Sequence, residues 1–226
     1  MGEKSMRNFL ARLFGGTCFL CRGAAQAMLC PACDADLPRL SGPRCPRCAL
    51  DSPRGEVCGR CLTQPPHYDA TVAALAYEFP ADVLVHSLKF RGELALASLL
   101  GEMLRERIVM EATDLVVPVP LSDARLRGRG YNHALEIARH LGRAVDFELC
   151  VRERDTPPQM DLPYDERQRN VRGAFRCPRA LAGRSVAVVD DVMTTGATLN
   201  EMASTLKAAG ASGVVNWVAA RTFPPR

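Results

Sequence analysis

Between residues 18 and 61 the chain carries four Cys-x-x-Cys pairs, Cys18/Cys21, Cys30/Cys33, Cys45/Cys48 and Cys58/Cys61, which account for eight of its ten cysteines. One such turn presents two thiolates to a metal, and two turns complete a tetrahedral four-cysteine site. The surrounding segment is rich in Pro, Arg and Gly (Pro31, Pro38, Pro43, Pro46, Pro53) and has no long periodic apolar pattern. Burial within the segment alone cannot hold it together. Two structural Zn2+ ions fit the cysteine count. Sequential pairing would group Cys18, Cys21, Cys30 and Cys33, then Cys45, Cys48, Cys58 and Cys61; the spacing is equally compatible with interleaved pairing. Redox CxxC motifs occur singly, after a strand and at a helix N-terminus, and disulfide frameworks belong to oxidising compartments. An iron–sulfur centre is the remaining alternative to zinc. With four protein ligands per ion no position stays open for water, so the block is expected to be a structural or binding module. Replacing Cys45 with Ser is expected to unfold its ribbon and leave the α/β core largely folded.

The boundary of this block falls near residue 65, giving expected domains of 1–65 and 66–226. Beyond it the pattern changes to strands alternating with helices. Tyr68–Tyr77, Leu115–Pro120, Phe147–Arg152, Ser185–Val189 and Val214–Ala220 read as strands. Pro80–Phe90, Glu93–Ile108, Tyr131–Leu141 and Thr198–Ala209 read as helices, with Gly142 and Gly210 as stop signals. Asp155–Arg172 reads as an ordered loop. This alternation predicts an α/β fold, a mainly parallel sheet with helices on both faces. The apolar runs are far shorter than the roughly 18 residues a membrane helix needs. Met1–Gly16 reads as a short amphipathic helix without a secretory pattern, so a cytoplasmic protein with no membrane insertion is expected.

The segment Val186 to Thr198 carries the clearest chemistry. A buried strand delivers Asp190 and Asp191 to its C-terminal end, where open α/β sheets bind ligands. Thr194, Thr195, Gly196, Ala197 and Thr198 then open a helix, so hydroxyls and backbone N–H groups can surround a phosphate. Paired acids beside a phosphate nest suit a phosphorylated sugar, and both carboxylates are expected to face solvent at the sheet edge. A second strand, Val116 to Leu121, leads into a basic loop with Arg125, Arg127, Arg129, Gly128 and Gly130, suited to anions. The net charge is only +4, and all but three of the basic residues (Lys4, Lys89, Lys207) are arginine. Arginine suits phosphate, and a GC-rich genome produces the same bias with no functional meaning. His67, His86, His133 and His140 read as surface or packing residues, and Cys150 and Cys177 as small buried hydrophobes.

The Asp190–Thr198 segment closely resembles the phosphoribosyl pyrophosphate (PRPP) motif of type I phosphoribosyltransferases. Through the whole chain, from about Cys18 to Arg221, the sequence resembles the ComF family. The matching features are the double zinc ribbon, Leu88-Lys89-Phe90-Arg91-Gly92, Val116 to Leu121, Arg129-Gly130-Tyr131-Asn132, Thr156-Pro157-Pro158-Gln159, Arg167, Arg169-Asn170, Gly173-Ala174-Phe175 and Asp190 to Thr198. The resemblance implies that Asp190 and Asp191 hold the ribose hydroxyls, directly or through Mg2+, and that Thr194 to Thr198 hold the 5-phosphate of PRPP or ribose 5-phosphate. Lys89, Arg129, Tyr131, Asn132, Gln159, Arg167 and Asn170 fall on the ligand side, although Asn132 or Asn170 could equally cap a helix. It also implies a role in natural competence: handling incoming single-stranded DNA beside a DNA-uptake helicase. An active transferase, moving the ribose 5-phosphate group to a nitrogen nucleophile, is the alternative. Thr194 occupies the place where hypoxanthine-guanine transferases carry an acid toward the purine, and no general base is evident.

Overall fold

The computed structural model describes residues 16–108, 113–155 and 171–224. The expected N-terminal helix and the loop bearing Gln159, Arg167 and Asn170 lie outside these residues. In chain order the elements are β1 (Gly16–Thr17), β2 (Ala24–Ala25), α1 (Pro31–Ala35), α2 (Gly59–Thr63), β3 (Ala70–Ala76), α3 (Ala81–Phe90) and α4 (Ala95–Arg107). They continue with β4 (Leu115–Pro118), α5 (Asp123–Arg129), α6 (His133–Ala138), β5 (Val151–Arg152), β6 (Phe175–Arg176), β7 (Ser185–Met193), α7 (Ala197–Ala208) and β8 (Gly213–Arg221).

Four strands form a parallel sheet in the order β3-β8-β7-β4. Strand periodicity explains its two cores. Along β7, Ala187 and Val189 point to one face, where they meet Leu84, Leu88, Leu96, Leu100, Leu104 and Ile137 of α3, α4 and α6. Val186 and Val188 point to the other face, against Leu199, Met202, Ala203 and Leu206 of α7. The helix crossovers expected from the sequence therefore cover both faces, as parallel sheets require. Helix α4 approaches α6 at Gly101, where an added Cβ would lie 2.6 Å from His140 Cβ and 2.8 Å from the Ile137 carbonyl oxygen.

Several expectations change. β7 is longer than Ser185–Val189 and runs through both aspartates to Met193. The segment Phe147–Arg152 contributes only β5, which pairs antiparallel with β6. The basic loop is helical: Ser122 accepts a hydrogen bond from the Arg125 amide at its start, and Gly130, at φ 82°, ends it. Its shortness hid it, since seven polar-rich residues carry no apolar period.

The cysteine block is not a separate body. Its two halves dock on opposite faces of the edge strand β3: Cys18, Ala25, Leu29 and Leu37 join the α3/α4 core, while Leu40, Cys45, Cys48, Ala49 and Cys61 join the α7 core. Between them the chain bonds directly to the edge, with Leu40 N–H donating to the Ala74 carbonyl at 3.1 Å and Ala76 N–H to the Pro38 carbonyl at 2.8 Å. A ribbon so embedded cannot unfold without baring core surface, contrary to the expectation of independent collapse.

Candidate functional site

The eight ribbon cysteines gather into two groups, Cys18, Cys21, Cys30 and Cys33, and Cys45, Cys48, Cys58 and Cys61, with the sulfurs of each group within 4.8 Å of one another. The pairing is sequential. Zn–S bonds of about 2.3 Å in a tetrahedron set sulfurs about 3.8 Å apart; Cys21 and Cys30 Sγ lie 3.7 Å apart, and Cys48 and Cys58 Sγ 3.6 Å. Backbone N–H groups already point at two of the sulfurs, from Cys33 to Cys30 Sγ and from Cys58 to Cys45 Sγ. At Cys45 burial opposes the thiolate, but such amides outweigh it and bring the thiol down to about 7. The two clusters fit two zinc sites.

At the C-terminal end of the sheet, the period of two sends the neighbouring aspartates to different sides of β7. Asp191 continues the Ala187, Val189 side and enters the α3/α6 layer. It is 2% exposed, which corrects the expectation that both carboxylates face solvent. Lys89 Nζ, from the last turn of α3, lies 2.7 Å from Asp191 Oδ2 as an ion pair off the line of a well-directed hydrogen bond. Burial works against charge on Asp191, but the Lys89 ammonium and the nearby His133 outweigh it and hold the carboxyl well below the usual range. The same ion pair raises Lys89 against its own desolvation. Asp190 is half-buried beside this charge; burial, then repulsion from Asp191, push its pKa up to about 8. Within the pair Asp191 holds its charge the more firmly, and Asp190 gives up its proton less readily than an ordinary aspartate.

His133 belongs to this cluster, not to surface or ordinary packing. Its Nε2 lies 3.4 Å from Asp191 Oδ2, and Arg129 Nη1 meets its Nδ1 at 3.0 Å. Burial pushes its pKa down to about 4. The neutral ring accepts from Arg129 at Nδ1, leaving Nε2–H to face Asp191. Arg129 also lies over the Phe90 ring, 5.1 Å from its centroid. The usable signal was position: His133 directly follows the Arg129–Asn132 motif and opens α6.

Asn132 caps α6, its side-chain oxygen accepting from the Ala134 and Leu135 amides while its Nδ2 donates to the Val119 carbonyl. The Tyr131 hydroxyl donates to the Leu88 carbonyl. Both therefore brace α3, β4 and α6 around the acids. Lys89, Arg125, Arg129 and Tyr131, with Phe90 and two glycines, line a cavity of about 400 Å³.

On the other side of the acids, the chain turns into α7 through Gly196 at φ 83°. The left-handed backbone itself favours glycine, and a Cβ there would also crowd the side-chain ends of Met193 (Cε at 2.7 Å) and Tyr68 (hydroxyl at 3.0 Å). Thr195 is buried, and its Oγ1 accepts from the Ala197 amide. The structure thus places Thr194, Thr195, Gly196, Ala197 and Thr198 as a turn at the positive end of a 12-residue helix, next to the acid pair. No helix among the described residues is long and apolar enough to cross a membrane.

Residues 9–62 match the model of the double zinc ribbon domain. DNA utilization protein YhgH of Salmonella typhimurium is 34% identical over 223 residues, spanning 92% of this chain and 98% of that protein. Competence protein F of Haemophilus influenzae is 30% identical over 234 residues, spanning 96% of this chain and 100% of that protein. The chain belongs to the competence protein F (ComF) family. Among solved structures, a hypoxanthine phosphoribosyltransferase from Staphylococcus aureus matches 59% of this chain and 74% of its own length, at 11% identity and a TM-score of 0.34. An overlap so partial carries no weight for the ComF site. Its reading rests on the acids, the Lys89 and His133 contacts, and the turn into α7.

Proposed function

We propose that this ComF protein binds Mg2+-PRPP or ribose 5-phosphate through the 66–226 region and serves DNA uptake in the cytoplasm, with the 1–65 ribbons as a structural module. The observation that carries the reading is the Lys89–Asp191–His133 cluster set immediately before the Thr194–Thr198 turn. Asp190, half-buried at the sheet edge, offers an acceptor to ribose hydroxyls with Asp191 held behind it by Lys89 and His133, while the turn and the N-terminus of α7 offer donors to a 5-phosphate. Lys89, Arg125 and Arg129 present positive charge to a pyrophosphate in the adjoining cavity. Mg2+ would supply further neutralisation of that pyrophosphate when bound.

The DNA side of the proposal draws on the relatives' names, DNA utilization protein and competence protein F, and on the chain's arginine surplus. Arginines contact nucleic-acid phosphates without reading sequence, which suits single-stranded DNA passed from an uptake helicase. Calorimetry of Mg2+-PRPP binding tests the ligand: equal affinity in wild type and in the Asp190→Asn/Asp191→Asn double variant overturns it. Deleting the gene in a transformable host should lower recombination of external DNA without creating a nucleotide requirement. The cavity beside the acids also supports a second reading, a working transferase, for which pyrophosphate release with a nitrogen acceptor is the decisive assay.

A further inference from the structure

Arg221, the last residue of β8, is 1% exposed. A guanidinium cannot shed its charge, so a buried one must find acceptors for its N–H groups. Its Nε donates to the Cys48 carbonyl at 2.9 Å, and its Nη1 to the carbonyls of Met193 at 2.8 Å, Thr194, and Thr222 at 2.7 Å. Cys48 closes the first CxxC turn of the second ribbon, and Met193 and Thr194 lead into the candidate phosphate turn. One side chain therefore ties a zinc knuckle to the backbone that would receive the phosphate.

Two further contacts join the same pieces. Arg60, carried on α2 between Cys58 and Cys61, reaches the Thr195 carbonyl with Nη2 at 3.4 Å. Buried Tyr68 shares a core with Cys45, Cys48 and Cys61, and its hydroxyl closes off the space beside Gly196. The first ribbon stands elsewhere: Cys18, Leu29 and Leu37 pack on the opposite face of the sheet. A metal in the second site would fix the positions of the Cys48 carbonyl and α2; without it, Arg221 and Arg60 lose their anchored ends.

We propose that Arg221 is a positioning residue through which zinc in the second ribbon, and not the first, holds residues 193–196 in their phosphate-receiving shape. The proposal deepens the sugar-phosphate reading and rests on it for the ligand, while the coupling itself can be read without one.

The test uses the full chain as wild type, Arg221→Lys, Cys58→Ser and Cys21→Ser, with zinc content, hydrogen exchange of the segment 193–199, and ribose 5-phosphate titration for each. Exchange in that segment should accelerate by about tenfold or more in Cys58→Ser and Arg221→Lys, and stay within about twofold of wild type in Cys21→Ser. Arg221→Lys should keep two zinc ions, since it removes the tether and no ligand. Ribose 5-phosphate affinity should fall in the same two variants. Unchanged protection in Arg221→Lys, or equal loss in Cys21→Ser and Cys58→Ser, overturns the proposal. If wild type binds no ribose 5-phosphate, the ligand reading fails while the exchange data still decide the coupling. Should Arg221→Lys fail to fold, wild type at graded zinc decides it: exchange in 193–199 must follow alkylation of Cys58, not of Cys21.

Discussion

Replacing Asp191 with Asn keeps the shape of the side chain and removes the charge that faces Lys89 at 2.7 Å. Breaking a buried ion pair from one side costs about 3–5 kcal/mol when the surviving charge remains buried and unpaired. Two features of this site reduce the figure. The Lys89 side chain keeps 23% of its surface exposed, so its ammonium can regain water. Asp190 is held protonated in part by repulsion from Asp191; with that repulsion gone it ionises at lower pH and supplies a new countercharge, since it already acts on Lys89. The expected loss is therefore about 1–3 kcal/mol at pH 7. Urea unfolding at fixed zinc concentration measures it as a lower midpoint with an unchanged slope. The Lys89→Met variant completes a double-mutant cycle, in which a coupling of about 1 kcal/mol or more is expected. A loss below about 0.5 kcal/mol, additive with Lys89→Met, would refute the buried-pair argument and restore a solvent-facing carboxylate.

His133 gives a pH signature. Its folded pKa, near 4, lies below the ordinary value of 6.5, so between these values the unfolded chain holds a proton on this ring that the folded one does not. The His133 contribution should fall as pH drops through that window, by up to about 3 kcal/mol. Asp190 contributes in the opposing direction, since its raised pKa makes the folded chain the better proton binder, so the difference between the urea-midpoint profiles of wild type and His133→Gln isolates the His133 part. Gly101→Ala should destabilise by about 1–3 kcal/mol in the same assay despite alanine's helix preference, because the new Cβ meets backbone as well as side-chain atoms. Cys45→Ser should lower zinc content from two ions to one, and circular dichroism should show loss of stability in the α/β body as well, since Cys45 shares its core. Any single-stranded DNA binding should be sequence-tolerant and weaken steeply with salt in filter or anisotropy titrations.

Local chemistry was legible in the sequence wherever one short segment contained it. The CxxC turns, the apolar run of β7 and the Thr-Thr-Gly turn into α7 each state their own geometry, because neighbours in the chain are neighbours in space. What the sequence concealed was set by distant partners. The burial of Asp191 depends on Lys89 from α3 and His133 from α6, and neither residue's spacing from Asp191 carries a period. The strand length was misjudged for the same reason: two adjacent acids read as a strand end, yet a lysine and an imidazole on one face let β7 run through them. Asn132 was legible as a cap or a ligand residue, and the structure employs it as a cap. Arg221 could have been suspected, as the lone charge closing the apolar run Val214–Ala220.

The ribbons answer a problem of the sheet as well as their own. β3 is an edge strand whose unpaired backbone groups would invite pairing with other chains, and its residues Ala73 to Ala76 offer only small apolar side chains apart from Leu75. Residues 38–40 bond to that edge, and the cysteine clusters flank it on both faces. Neither partner is sufficient alone: the ribbons lack a core, and the edge of the sheet lacks a cover. With the two joined in this way, zinc bound in the clusters would contribute to the folding free energy of the sheet. Through Arg221, the same join extends from the edge strand to the turn at Thr194, so the cysteines that hold the fold also bear on the site.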